Sequence, residues 1–193
     1  MKASIAHLPD HKQQELQRAV EIIREEIDLE LLILFGSYAR GDWVEDLDPE
    51  TLQYRYQSDF DYWFNQAKIC LVGFNDALSH GFLNKAAFEL HQTTEGLYGA
   101  ILLVFTRYKP STHDFTKLAK RVASVEPQFL AVFPQGAEEE SARFKLLRKA
   151  YVDARYKPSY SIIKEQLTWL AERVEHLQLL TEKLCKEKIA SFE

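Results

Sequence analysis

Two groups of residues have types and spacings suited to chemistry. The first is Gly36-Ser37 followed, after a gap, by Asp59 and Asp61. Read as part of an extended segment, acids at i and i+2 project to one face, because strand side chains alternate. Such a pair can hold Mg²⁺, whose hard charge takes carboxylate and phosphate oxygens. A Gly-Ser turn lets backbone N–H groups and the Ser37 hydroxyl approach a triphosphate. Two metals would then stabilise attack on the α-phosphate and departure of pyrophosphate. The second group is His91 and Glu95, with Arg155 and Tyr160 farther on. His91 and Glu95 stand at i and i+4, on one face of a helix. There they serve either a metal or nucleotide site or a hydrogen-bonded pair lining a bundle. Arg155 offers a two-pronged grip on a phosphate, and Tyr156 and Tyr160 offer rings that stack on a base. The plainer role of Arg155 is to cap a helix C-terminus, where a cation is favoured.

The elements that must position these groups follow from apolar spacing. Residues 9–28 read as an amphipathic helix, with Leu16, Val20, Ile23 and Ile27 at three- and four-residue steps. The run Leu31-Leu32-Ile33-Leu34-Phe35, stopped by Gly36, reads as a buried strand. Residues 41–57 are polar, acidic and aromatic, carry the turn signal Asp48-Pro49, and read as a loop. Helices follow over 62–79, with Gly81 as the stop, and over 83–105. A shorter one spans 112–123, with Thr112 as its N-cap. A fourth helix is expected over 137–155, its Glu138-Glu139-Glu140 at the end where negative charge is favoured. The last spans 163–189 and carries a near-heptad seam of Leu167, Leu170, Val174, Leu177 and Leu184, either core or dimer contact.

Composition narrows the class. A chain of 193 residues holds one ordinary domain, or one plus a fragment. Only 7 Gly and 6 Pro against 12 Phe, 9 Tyr and 3 Trp favour packed helices over a turn-rich β fold. A formal charge of −5 excludes a whole-chain basic footprint for nucleic acid but leaves room for a local patch. Lys117, Lys120, Arg121, Arg143, Lys145, Arg148 and Lys149 are the candidates, with a solvated helix surface as the plainer account. Cys70 and Cys185 form no metal motif and fit a reducing, cytoplasmic setting. Residues 1–10 lack the apolar core of a signal peptide, and no stretch is long enough to span a bilayer.

The stretch Leu34-Phe35-Gly36-Ser37-Tyr38-Ala39-Arg40-Gly41, with Ser58-Asp59-Phe60-Asp61 after it, resembles the polymerase-β-like nucleotidyltransferases of the minimal type. The resemblance implies phosphate contact by Gly36 and Ser37, Asp59 and Asp61 as vestigial catalytic residues and metal ligands, and Mg²⁺ as cofactor. Three features depart from the pattern. The gap between Ser37 and Asp59 is long, no third carboxylate follows on a later strand, and a helix is expected directly after Asp61. A palm needs several strands to bury its faces. The expectation is a truncated, catalytically impaired segment over 1–61.

The remainder, 62–193, resembles HEPN domains, helical bundles named for nucleotide binding in higher eukaryotes and prokaryotes. The blocks that carry it are Ala86-Ala87-Phe88-Glu89-Leu90-His91-Gln92-Thr93-Thr94-Glu95, then Thr112-His113-Asp114-Phe115, then the run from Ala150 through Arg155 to Tyr160. Members are often encoded with or fused to a minimal nucleotidyltransferase, and many are ribonucleases whose motif is an arginine, four to six residues, and a histidine at a dimer cleft. Here Arg155 is followed after four residues by Tyr160. A phenol with a pKa near about 10 is a poor base at neutral pH.

The expected fold is thus mainly α, a HEPN-type up-and-down helical bundle preceded by a helix–strand remnant of an α/β nucleotidyltransferase domain. The expected function is binding of a nucleotide or RNA, with Gly36, Ser37, His91, Glu95 and Arg155 as nucleotide contacts and Arg155 and Tyr160 as the motif pair. A toxin–antitoxin or defence setting, a homodimer through the helical domain and a separate nucleotidyltransferase partner accompany it. The alternatives are an active Mg²⁺-dependent nucleotidyltransferase, a ribonuclease and a non-catalytic dimerisation module.

Overall fold

A computed structural model of the chain describes residues 6, 8–26 and 49–192. The chain divides into two compact units, Met1–Leu47 and Asp48–Glu193. In the first, α1 (Asp10–Glu26) forms where the apolar spacing predicts a helix. The Gln13 side chain donates to the Leu8 carbonyl at 2.7 Å, and the Gln13 backbone N–H donates to the Pro9 carbonyl, closing the helix start. The strand expected at Leu31–Phe35, and Gly36 and Ser37 with it, lie outside the described residues.

The second unit is helical throughout its regular structure, and no strand occurs among the described residues. It comprises α2 (Pro49–Ser79), α3 (Leu83–Thr106), α4 (Phe115–Val125), a 3-10 turn (Pro127–Ala131), α5 (Glu138–Lys149), the single-turn α6 (Asp153–Tyr156) and α7 (Lys164–Ala190). Residues 49–57, expected as loop, are the first two turns of α2. Pro49 opens the helix, since proline suits the first helical position. Tyr56 and Phe60 then face inward one turn apart. Phe60 is buried and stacks on Phe64, while Tyr56 stacks on Phe192 near the chain end. The helix passes through residue 61 without interruption.

The α3 helix is the centre of the bundle, and α2, α4, α5, α6 and α7 all pack on it. This explains why its buried residues run nearly all round it rather than along one stripe. It approaches α2 closely where Gly96 faces Ala67, and a Cβ at Gly96 would meet that of Ala67 at 3.2 Å. Between α2 and α3 the chain reverses at Gly81, whose φ of 74° suits glycine; Phe82 N–H returns to the Ala77 carbonyl at 2.9 Å. The seam of α7 faces this core: Leu167, Leu170, Val174, Leu177 and Leu184 are all buried. The seam is therefore core, not dimer contact.

Two boundaries differ from expectation in ways that matter for the site. The α4 helix begins at Phe115, and its cap is Asp114, not Thr112. The Asp114 carboxylate accepts from the N–H groups of Thr116 at 2.9 Å and Lys117 at 3.4 Å, while Thr112 accepts from Asp114 N–H. The helix expected over 137–155 is two helices, with a turn at 150–152 that redirects the chain and carries Tyr151. The three glutamates do open α5, and Glu140 accepts from the Ala137 N–H at 3.1 Å. No helix of the described residues is long and apolar enough to cross a membrane.

Candidate functional site

Phe88, His91 and Glu95 recur at i, i+3 and i+7 on α3, so they share one face. The link into α4 sets His113 against that face, and the turn after α5 adds Tyr151 and, on α6, Arg155. Three separate stretches of chain meet here, and they are the three blocks that carry the resemblance.

Glu95 is the hub. Its side chain is 10% exposed, and its Oε2 accepts from His113 Nδ1 at 2.8 Å. A carboxylate only accepts, so Nδ1 of His113 carries the proton and Nε2 is the nitrogen left for a ligand. The His113 ring is 52% exposed and stacks on Tyr151 with centroids 4.1 Å apart. His91 is fully buried, donates from Nδ1 to the Leu147 carbonyl at 3.0 Å, and stacks on Phe115 at 4.0 Å. Its Nε2 lies 3.6 Å from Glu95 Oε2, a polar contact rather than a hydrogen bond, and has no other partner. Burial alone would raise the Glu95 carboxyl. The facing His91 ring and the His113 hydrogen bond outweigh it and hold the group below its ordinary range.

Arg155 is exposed. Its Nε donates to the Tyr151 carbonyl at 2.7 Å, and its guanidinium lies over the rings of Tyr151, Phe88 and Tyr156 at 4.5, 4.6 and 5.0 Å. Among the described residues no carboxylate pairs with it. Its neighbour Lys157 is paired, with Asp153 at 2.9 Å. The guanidinium is therefore positioned by aromatic faces and one carbonyl, with its two terminal nitrogens available to an anion.

The expected partner of Arg155 is placed elsewhere. Tyr160 is buried, its hydroxyl donates to the Leu146 carbonyl at 3.2 Å, and Asn84 donates to its own carbonyl. Burial first, and then the nearby Asp153, push the phenol well above its ordinary value, so it stays protonated at neutral pH. Tyr151 occupies the place under Arg155. Tyr151 and His113 lie within the blocks that carry the resemblance, but their spacing does not mark them as site residues; the turn that carries Tyr151 falls inside what the periodicity reads as one helix.

The aspartate pair also departs from its expected geometry. Asp59 and Asp61 are on α2, where side chains two residues apart diverge by about 200°. Asp59 pairs with Arg107 at 2.6 Å, and Asp61 accepts from Gln57 at 2.8 Å. As placed, they do not fit one Mg²⁺ ion held between two carboxylates. No group of three or more His, Cys, Asp or Glu side chains suited to a metal occurs among the described residues.

No curated protein matches the chain. A family model does, over residues 60–187, well over half of the sequence, and it covers every residue of the Glu95–His113–Arg155 cluster. The match begins at Phe60, the first α2 residue buried in the bundle, and ends three residues before α7 does. By that match and by the helical bundle around α3, the chain belongs to the HEPN domain family.

Proposed function

We propose that the chain binds a nucleotide or a short stretch of RNA on the surface formed by Arg155, Tyr151 and His113. The observation that carries this reading is the Arg155 guanidinium, exposed, fixed over three aromatic rings and without a carboxylate partner among the described residues. Such a cation takes a phosphate with both terminal nitrogens, while exposed Tyr156 offers a face to a base. His113 Nε2 adds a donor or acceptor a ring away, on the far side of the imidazole from Glu95. Fluorescence anisotropy of a labelled single-stranded RNA, repeated across a salt series, tests the reading. Affinity that falls with salt and weakens in Tyr156→Ala supports it, whereas RNA and free nucleotides that both fail to bind at low salt would remove it. A homodimer would have to use a face other than the α7 seam, which the core occupies. A toxin–antitoxin or defence setting with a nucleotidyltransferase partner belongs to this proposal through the resemblance of residues 34–41 alone.

A second reading, phosphodiester cleavage, is favoured by one arrangement. His113 is half-exposed, oriented by a buried carboxylate and linked to Arg155 through Tyr151. An imidazole so held can take the proton of a ribose 2′-hydroxyl as that oxygen attacks phosphorus, and return it to the departing 5′-oxygen. His113 would then supply the imidazole that position 160 lacks. Metal-independent cleavage of an RNA oligonucleotide, abolished in His113→Ala and leaving a 2′,3′-cyclic phosphate, is its expected signature. RNA that binds but stays intact leaves the binding reading alone.

A further inference from the structure

A second recess has no residue in common with the Arg155 site. It lies among α4, the 3-10 turn and its continuation, and α5, and encloses about 250 Å³. Its walls are aromatic: Phe129, Phe133 and Phe144 line it, all three buried. Its rim carries Lys120 and Arg148, both exposed and neither paired with a carboxylate among the described residues.

Two hydroxyl-bearing side chains stand in its lining, and one hydroxyl is a buried orphan. Tyr98 on α3 is 3% exposed and belongs to the lining. Thr116 on α4 has its hydroxyl oxygen buried with no partner. A buried polar group without a partner costs stability. A buried orphan with a second hydroxyl-bearing side chain in the same lining is what a polar ligand atom would satisfy. Burial raises the Tyr98 phenol far above its ordinary value, so it is a donor at any physiological pH.

We propose that this cavity is a binding site for a small aromatic acid, with one or two fused rings between the phenylalanines, a ring hydroxyl or heteroatom on Tyr98 and Thr116, and its carboxylate at Lys120 and Arg148. Size fixes the class. The cavity falls short of the roughly 300–1,000 Å³ typical of drug-sized ligands, so a ring system fits and a whole nucleotide does not. The unpaired cations on the rim set the sign of the ligand's charge, and the phenylalanine walls require a planar apolar body.

Calorimetry and ligand-detected NMR with 4-hydroxybenzoate, benzoate and phenol on the full chain decide the matter. The expected result is saturable one-to-one binding of 4-hydroxybenzoate, stronger than that of either analogue. Lys120→Gln with Arg148→Gln should weaken it by roughly tenfold or more, as loss of charge-assisted contacts does. Tyr98→Phe, which keeps the ring and the packing, should bring 4-hydroxybenzoate down towards benzoate while leaving benzoate unchanged. Arg155→Ala should change none of these, which separates this site from the nucleotide site. The proposal is overturned if 4-hydroxybenzoate does not bind saturably at millimolar concentration, if the rim variant binds as wild type does, or if Arg155→Ala abolishes binding.

Discussion

The guanidinium of Arg155 lies 4.5 Å from the centroid of the Tyr151 ring while its own Nε donates to the Tyr151 carbonyl at 2.7 Å. One residue thus holds the arginine twice, once by its ring and once by its backbone. The closest ring stacked on Tyr151 is His113, which Glu95 holds by a hydrogen bond. The stability of this cluster and its capacity to bind are separable by mutation.

His91 belongs to stability. It is fully buried, hydrogen-bonded to the Leu147 carbonyl and stacked on Phe115. His91→Ala leaves that carbonyl without its side-chain donor and opens a cavity, together worth about 3–4 kcal/mol. Urea denaturation should show a clear fall in midpoint. A loss under about 1 kcal/mol would mean that the site relaxes around the gap.

The Glu95 carboxyl couples folding to acid. Its folded pKa is below the ordinary 4.5, so its contribution is present above the unfolded value and is lost as pH falls through the folded one. Wild-type stability should therefore decline below about pH 4.5, and Glu95→Gln should flatten that limb because it has no proton to gain. His113→Ala should cost about 1 kcal/mol at neutral pH, the imidazole being half-exposed and screened. An acid limb identical in wild type and Glu95→Gln would show that other carboxylates set it.

Tyr160 provides the contrast with Arg155. Tyr160→Phe removes the hydroxyl that donates to Leu146, whose carbonyl still receives the Ala150 N–H at 3.1 Å. The cost should be small, about 0.5–1.5 kcal/mol in thermal or chemical unfolding, with nucleotide and RNA affinity unchanged. Weakened binding in this variant would restore Tyr160 to the site.

Asp59 acts in the bundle as a surface partner. Its pair with Arg107 joins α2 to the end of α3, with both side chains about 40% exposed. Asp59→Asn should lower stability by about 0.2–1 kcal/mol, less in high salt. A stability gain on adding Mg²⁺ that is present in wild type and absent in Asp59→Asn would contradict this and revive the metal role.

The helices were legible in the sequence because their apolar residues keep a helical period. The α3 and α7 helices appear within one or two residues of the spans read from Leu97, Ile101 and Leu102, and from Leu167 to Leu184. Where the reading failed, local signals pointed to the wrong partner. Asp48-Pro49 reads equally as a turn or a helix start, and only the burial of Phe60 decides for the helix. The candidate site was half legible. Glu95 and Arg155 were named, but Tyr151 and His113 acquire their roles from a break in helical phase and from contacts between His113 and residues 18 and 38 positions away. No periodicity encodes such contacts. The burial of Tyr160 was not legible, because a motif fixes spacing along the chain, whereas the turn at 157–160 decides which way the ring faces.

The most direct test of the account is nucleotide and RNA affinity in Arg155→Ala and Arg155→Lys, measured by calorimetry alongside melting temperature. The account predicts that Arg155→Ala weakens binding roughly tenfold or more, that lysine restores only part of it, because a point charge lacks the two-pronged grip, and that stability changes little. If wild type and both variants bind ATP, GTP and short RNA equally well while only the melting temperature falls, Arg155 is a helix cap, and the Arg155–Tyr151–His113 surface is not where this protein holds its ligand.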